Sequence, residues 1–249
     1  MRKLMTIVVA AGLAICPSMY ASADPSAEPN GDRQDAAKAA ELKGDVARAK
    51  ANYDSAISHY LDAVKISKKD VLLYNKLGVT ELQTGNRGVA RKYFSEALKY
   101  DPRNVTALNN LGAVAVLEGK YKRAIHYLKQ ALELNELDAS AHLNIGEAWM
   151  GLGDTDKGMT EYSRALELDA DILSNTLDGV TAQVRTPEQR ARISFLIAKA
   201  YAKRGNIEGA LDYLRRAKDD GYRNLNKVYV DADFAALVQD PRLAKIVKR

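Results

Sequence analysis

The sequence predicts an all-α fold, a solenoid of stacked helical hairpins, and three regularities carry that prediction. Gly78, Gly112 and Gly146 stand 34 residues apart, as do Ala97, Ala131 and Ala165. Gly85, Gly119 and Gly153 keep the same step, and so do Phe94, Leu128 and Tyr162. Between these markers, apolar residues recur at i, i+3, i+4 and i+7, the spacing of one buried helix face. A fixed period of this length marks one supersecondary unit stacked on copies of itself. Such a stack offers a surface and no built-in reaction, so the expected function is binding.

Each element of the repeat has a local reason. In residues 71–104, Tyr74, Leu77, Gly78 and Glu81 define a first helix, Gly85 interrupts it, and Ala90, Phe94, Ala97 and Leu98 resume the period. Gly85-Asn86 supplies a left-handed C-cap and turn, and Pro102 after Asp101 stops the second helix. Gly78 and Ala90 let the two helices of a hairpin approach closely, and Ala97 lets the next hairpin nest against it.

This pattern resembles the tetratricopeptide repeat: Trp/Tyr-x2-Leu-Gly-x2-Tyr, then Gly, then Ala-x3-Phe-x2-Ala and a terminal Pro. Residues 71–104 meet nearly every position, with Glu81 where the family prefers an aromatic. Residues 105–138 match through Leu108, Leu111, Gly112, Ala115, Gly119, Tyr121, Ala124, Leu128 and Ala131, with Glu136 in place of the Pro. Residues 139–172 match through Ile145, Gly146, Trp149, Gly153, Tyr162 and Ala165, with Gly158 where Ala is usual. An earlier unit, 37–70, keeps Gly44, Tyr53, Ala56, Tyr60 and Ala63 but has Lys43 at a position normally buried. A later one, 191–224, keeps Ile197, Ala198, Tyr201, Gly205, Ala210, Leu214 and Ala217. The resemblance covers residues 37–224 and implies a right-handed superhelical solenoid of tetratricopeptide-type helix-turn-helix hairpins. Its signature residues pack the repeats, so it names no partner.

The period slips between the fourth and fifth units, where residues 173–190 are inserted. Leu173, Leu177, Val180 and Val184 read as one extra amphipathic helix that re-phases the stack. Thr186-Pro187-Glu188-Gln189 then offers an N-cap, a proline at the first helical position and a capping-box Gln, so the fifth unit should open with a lengthened helix. At the start of the chain, Arg2 and Lys3, the apolar run 4–15 and Ala21-Ser22-Ala23 have the layout of a secretory signal over residues 1–23. The run is too short to span a bilayer. Cys16, the single cysteine, follows Ile15 where a lipoprotein signal needs a small residue, so cleavage is expected after Ala23, leaving a cysteine-free chain in the periplasm or outside the cell. Residues 24–36 should be a flexible leader. Residues 225–249 should form a cap, with Asp240-Pro241 starting a helix and Lys245, Lys248 and Arg249 on its polar outer side.

The charge pattern excludes several functions. Without Arg2 and Lys3 the chain carries 35 basic against 32 acidic residues, mixed along every helix as on a solvated surface, and without the aromatic–basic interleaving of single-strand nucleic-acid binders. No nucleic-acid partner is expected. His59, His126 and His142 occupy three different repeat positions, and one histidine with one carboxylate falls short of a zinc site. Gly151-Leu152-Gly153 lacks the strand-then-helix setting of a dinucleotide loop. No catalytic, cofactor or metal constellation emerges, and no enzyme is expected.

In the family it resembles, the first helix of each hairpin lines the concave surface. That implies a groove of Asn75, Val79 and Leu82, then Asn109, Asn110, Ala113 and Val116, then Leu143, Asn144, Glu147 and Met150. The family's charged clamp for carboxylate-ended peptides needs a Lys–Asn pair and later basic residues. The corresponding positions hold Glu41 and Asp45, then Asn75 and Val79, which argues against that mode. What remains is neutral and partly apolar, the character of an interaction surface. Asn110 and Asn144, 34 apart, either brace their own repeats or hydrogen-bond an extended peptide. The expected function is an exported scaffold that grips a peptide or helix of a partner protein. The alternatives are self-association, which would give a homo-oligomer with the groove filled by a second copy or the chain's own tail, and a regulatory subunit of an envelope complex.

Overall fold

The computed structural model describes residues 29–169, 171–172 and 186–248. The expected signal, Cys16 and the insertion-helix residues Leu173, Leu177, Val180 and Val184 lie outside them. The described residues fall into two compact units that divide between Leu134 and Asn135.

The first unit contains six helices, α1 (Pro29–Ala49), α2 (Tyr53–Ile66), α3 (Val71–Gln83), α4 (Arg87–Tyr100), α5 (Val105–Leu117) and α6 (Tyr121–Leu134). They pack as hairpins α1·α2, α3·α4 and α5·α6, and the second helix of one hairpin packs on the first helix of the next. The glycines of the 34-residue pattern show why the hairpins close. A Cβ on Gly44 would lie 2.5 Å from the Tyr60 ring, one on Gly78 2.4 Å from Phe94, and one on Gly112 2.4 Å from Leu128. Those three large side chains are fully buried. Each hairpin is thus locked by a large residue seated on a bare backbone 16 positions earlier.

The turns follow the sequence except in one place. Gly85 has φ +87°, and its neighbour Asn86 donates its N–H to Glu81 O at 2.8 Å, the six-residue closure of a helix C-terminus. The equivalent residue of the first hairpin is Ala51, which is held at φ +56° in a region that disfavours a Cβ. Helix starts are capped in register too. Asp70 accepts from the N–H groups of Leu72 and Leu73 at 2.9 and 3.2 Å, and Asn104 accepts from Ala107 at 3.0 Å.

Apolar clusters run through the described residues of this unit. Ala47, Ala56, Tyr60, Ala63, Leu73 and Leu77 form one, and Ala90, Phe94, Leu111 and Val114 another. A polar link crosses the first: Lys76 of α3 reaches Glu41 at 2.6 Å and Asp45 at 2.7 Å on α1, while the Tyr60 hydroxyl donates to Asp45 at 2.7 Å. Burial, and then that bond to a carboxylate, push the Tyr60 phenol well above its ordinary pKa. Helix α1 begins at Pro29, two turns inside the stretch expected to be a leader. Proline suits a helix start, and the run Ala36-Ala37-Lys38-Ala39-Ala40 has the highest helix propensity available.

The second unit contains α7 (Ala139–Gly151), α8 (Thr155–Leu168), α9 (Pro187–Lys203) and α10 (Ile207–Asp219). Gly146 lies against Tyr162 as its counterparts do in the first unit. Helix α9 opens with the expected capping box: the Gln189 N–H donates to Thr186 Oγ1 at 3.2 Å, and the Thr186 N–H donates to Gln189 Oε1 at 3.1 Å. It runs for 17 residues, against 13 in α7.

Beyond α10 the chain makes two 3₁₀ turns, Leu225–Tyr229 and Ala232–Phe234, and two short helices, α11 (Ala235–Val238) and α12 (Leu243–Ile246). Val228, Phe234, Leu237, Leu243, Ile246 and Val247 from this tail join Ile193, Ile197, Ala210, Leu211 and Leu214 in one buried cluster. Lys199 ties the tail down through Asp231 at 2.7 Å and Asp233 at 3.3 Å. The expected helix start at Asp240-Pro241 falls at Leu243 instead. Asp240 Oδ1 accepts from the Arg242 N–H at 2.8 Å, which makes residues 240–242 a turn before the helix.

Candidate functional site

In the first unit the groove positions lie on α3 and α5, which touch side by side. Asn75, Asn109 and Asn110 are buried, and Val79, Leu82 and Val116 are half-buried. Val79 and Leu82 pack against the cluster built on Phe94 and Leu111, so their apolar surface is shared between that core and the outside. Asn75 Nδ2 donates to Asn104 Oδ1 at 3.0 Å; the same Asn104 caps α5. Among the described residues Asn75 Oδ1 has no partner, and neither does Nδ2 or Oδ1 of Asn110, although Asn110 is only 1 % exposed. An unmet buried polar group costs about 1–3 kcal/mol, so Asn110 holds an amide donor and acceptor that its own fold leaves unused.

The neighbouring charges do not make an anion grip. Lys76, adjacent to Asn75 in sequence, is held by Glu41 and Asp45. These two acids occupy the positions where a carboxylate clamp would need other chemistry.

In the second unit, Leu143 and Asn144 are buried and Met150 is half-buried. Leu143 belongs to the unit's main cluster. Met150 explains a departure from the repeat pattern that the sequence left without a reason. A Cβ on Gly158 would lie 3.0 Å from Met150 Cγ and 3.1 Å from Gly146 O, so the thioether fills the place of the usual alanine. Gln189 Nε2 lies 3.7 Å from its sulfur. Trp149 is half-buried, with Lys157 Nζ 4.4 Å from the centre of its ring, a cation on an aromatic face.

The histidines have local roles. His142 Nδ1 lies 2.7 Å from Glu161 Oε2 on α8. His126 lies 2.9 Å from Gln130 Nε2. Among the described residues no group of three histidines, cysteines or acids could hold a metal ion, and no helix is long and apolar enough to cross a membrane. A cleft of about 320 Å³ in the second unit is lined by Leu166, Leu196, Lys199, Ala200, Lys203 and Asp233; Lys199 is taken up by the acids of the tail.

Comparison with known proteins agrees with this packing. A tetratricopeptide-repeat family model matches residues 115–171, and a model of the CABIN1 N-terminal domain matches residues 43–120. No curated protein matches the chain by sequence. Among solved structures, PilF of Pseudomonas aeruginosa is 19% identical, with 82% of this chain and 89% of that one covered and a TM-score of 0.54. The tetratricopeptide-repeat protein TTC0263 of Thermus thermophilus is 22% identical over 82% of this chain and all of that one, with a TM-score of 0.53. YrrB, described as a tetratricopeptide-repeat protein with an unusual peptide-binding site, is 21% identical over 82% and 97%, with a TM-score of 0.50. At these identities the likeness is one of fold. The hairpins and their glycine closures give this chain an all-α solenoid fold of the tetratricopeptide type, and the tetratricopeptide-repeat family model matches it over residues 115–171.

Proposed function

We propose that the protein is an exported scaffold that binds an extended peptide segment of a partner on the α3–α5 face of its first unit. The observation that carries this reading is Asn110, whose amide keeps its donor and its acceptor unmatched among the described residues, and which a peptide would reach by a small shift of the side chains that cover it. A peptide backbone presents one acceptor and one donor per residue, which is the complement a primary amide needs. Val79, Leu82 and Val116 supply half-buried apolar surface for alternate side chains of such a segment. The peptide-binding site described for YrrB, a protein of the same fold, supports this use of the hairpin stack. Asn144 and Met150 hold the corresponding positions on the first helix of the second unit. The address outside the cytoplasm rests on the signal-like layout of residues 1–23.

The test has two stages. A photoreactive residue at Val116 should capture a partner segment that mass spectrometry identifies, and that segment, made as a synthetic peptide, is titrated into the protein and into Asn110→Ala. Loss of two backbone hydrogen bonds should weaken binding on the order of tenfold or more. Equal affinity for both proteins would refute the amide's role. Amino-terminal sequencing of the protein from fractionated cells checks export: an intact residue 1 on the cytoplasmic protein would remove that part of the reading.

A further inference from the structure

Among the described residues no hairpin precedes α1, yet α1 carries the face on which a preceding hairpin would dock. Its Ala39, Leu42, Lys43 and Val46 correspond, 34 residues on, to Leu73, Lys76, Leu77 and Thr80 of α3, and 68 on to Ala107, Asn110, Leu111 and Val114 of α5. On α3, Leu73 and Leu77 bury against Ala56, Tyr60 and Ala63 of α2. On α5, Leu111 and Val114 bury against Ala90 and Phe94 of α4. On α1 the same face stands open, with Leu42 64 % and Val46 47 % exposed. Ala36, Ala39 and Ala49 continue the strip and are exposed too. A terminal repeat that stays single needs a polar outer face, and along the middle of this strip, between Ala36 and Ala49, only Lys43 supplies one.

We propose that this strip is a homodimer interface, in which α1 packs antiparallel on α1 of a second copy. Three features select a second copy as the occupant. The register of the face is the one that accepts a helix of a hairpin like those of this chain. The last hairpin of the second unit, by contrast, is closed by its own tail, with Phe234, Leu237, Leu243 and Ile246 buried on α9 and α10, so a head-to-tail array finds no open acceptor and a two-fold pairing remains. Charge then sets the direction. Asp32 and Asp35 lie at the start of the strip and Lys50 at its end, so an antiparallel copy brings acid to base where a parallel copy sets like beside like. In that arrangement Leu42 sits near the two-fold axis against its own counterpart, and Val46 meets the partner's Ala39. Lys43 solvates one flank and keeps the strip narrow, which makes the dimer reversible and concentration-dependent.

The inference uses a surface separate from the peptide-binding face, so the two stand or fall independently. Sedimentation equilibrium of the purified protein over a concentration series should show a monomer–dimer equilibrium, and Leu42→Glu should weaken it on the order of tenfold to a hundredfold. Asp35→Lys should weaken it as well, and Asp35→Lys with Lys50→Asp should restore it. In a Cys16→Ser background, Leu42→Cys should give a disulfide-linked dimer under mild oxidation, with the crosslink at residue 42 of both copies. Leu42 is exposed, so unchanged melting by circular dichroism shows that each variant is folded. A monomer at every concentration, a dimer indifferent to Leu42→Glu, or a different protein seated on Leu42 without self-association would overturn the proposal.

Discussion

Replacing Gly78 with alanine sets two known effects against each other, and the structure decides which one wins. Alanine is the better helix former by about 1 kcal/mol in a helix interior, so on a free helix the change would stabilise. Here the new Cβ would lie 2.4 Å from Phe94 Cε1, 2.6 Å from Cζ and 2.7 Å from Cδ1. Carbon atoms pack best at about 3.5–4.0 Å, so the ring or the helix must move by about 1 Å. Phe94 is fully buried between Ala90, Leu111 and Val114 and has no free direction in which to yield. Overpacking costs about 1–3 kcal/mol, and three contacts under 3 Å on a fully buried ring put this case in the upper part of that range, so after the propensity gain Gly78→Ala should lower stability by about 1–2 kcal/mol. Phe94→Ala alone should cost about 3–5 kcal/mol. On that background the obstacle is gone, and adding Gly78→Ala should now raise stability by about 1 kcal/mol. Urea unfolding of the four proteins, followed by circular dichroism, closes the double-mutant cycle. A neutral or stabilising Gly78→Ala with Phe94 present would refute the ring-on-glycine account, and so would the same sign in both backgrounds.

Two further outcomes follow from single residues. Ala51 occupies the turn position at φ +56° where later hairpins have glycine, so Ala51→Gly relieves about 1–2 kcal/mol of strain against about 0.4–1 kcal/mol of added unfolded-state entropy; thermal melting should show a net gain, and a loss would mean that the turn is unstrained. The second concerns acid. The Arg242 guanidinium and its backbone N–H hold the Asp240 carboxyl at about 2 against an ordinary 3.8. Asp231 is lowered as well: burial pushes it upward, but Lys199 and the Asp233 N–H outweigh that. Both folded pKa values lie below the unfolded ones, so the stabilisation is complete above about pH 4 and fades as pH falls toward about 2. Amide exchange in α11 and α12, corrected for intrinsic rate, should lose protection over that interval. A flat profile, or one unchanged in Asp240→Asn, would show that these carboxylates do not hold the tail.

The period made the hairpins legible because 34-residue spacing reports packing, and packing is what the glycines, Phe94, Leu128 and Tyr162 do. The capping box at Thr186 was legible for a similar reason: it is a purely local arrangement. Other features were hidden because they depend on what lies across the fold. The pair Asn75–Asn104 joins residues 29 apart, and Lys76 joins α3 to α1; the one signal that could have marked the caps is the recurrence of Asp70, Asn104 and Asp138 at 34-residue steps. The start of α1 was missed because Pro29, Asn30 and Gly31 read as turn residues when taken alone, although the alanines after them favour a helix. The expected groove could be written from the sequence only as a set of positions. Which of its amides lacked a partner could not be read without the neighbouring helices.

The closures of Gly44, Gly78, Gly112 and Gly146 on their large partners each join residues 16 apart, and the contacts between successive hairpins join residues roughly one repeat apart. A protein wired so locally has little loop-closure entropy to overcome, and a hairpin can form as soon as its own segment is available. The converse is that damage also stays local. A repeat weakened at Gly78 loses the support of its two neighbours and no more, so it can open while the rest of the array keeps its structure. Proteases would then find their first cut beside the injured hairpin, and the digestion pattern of a variant would report which repeat had failed.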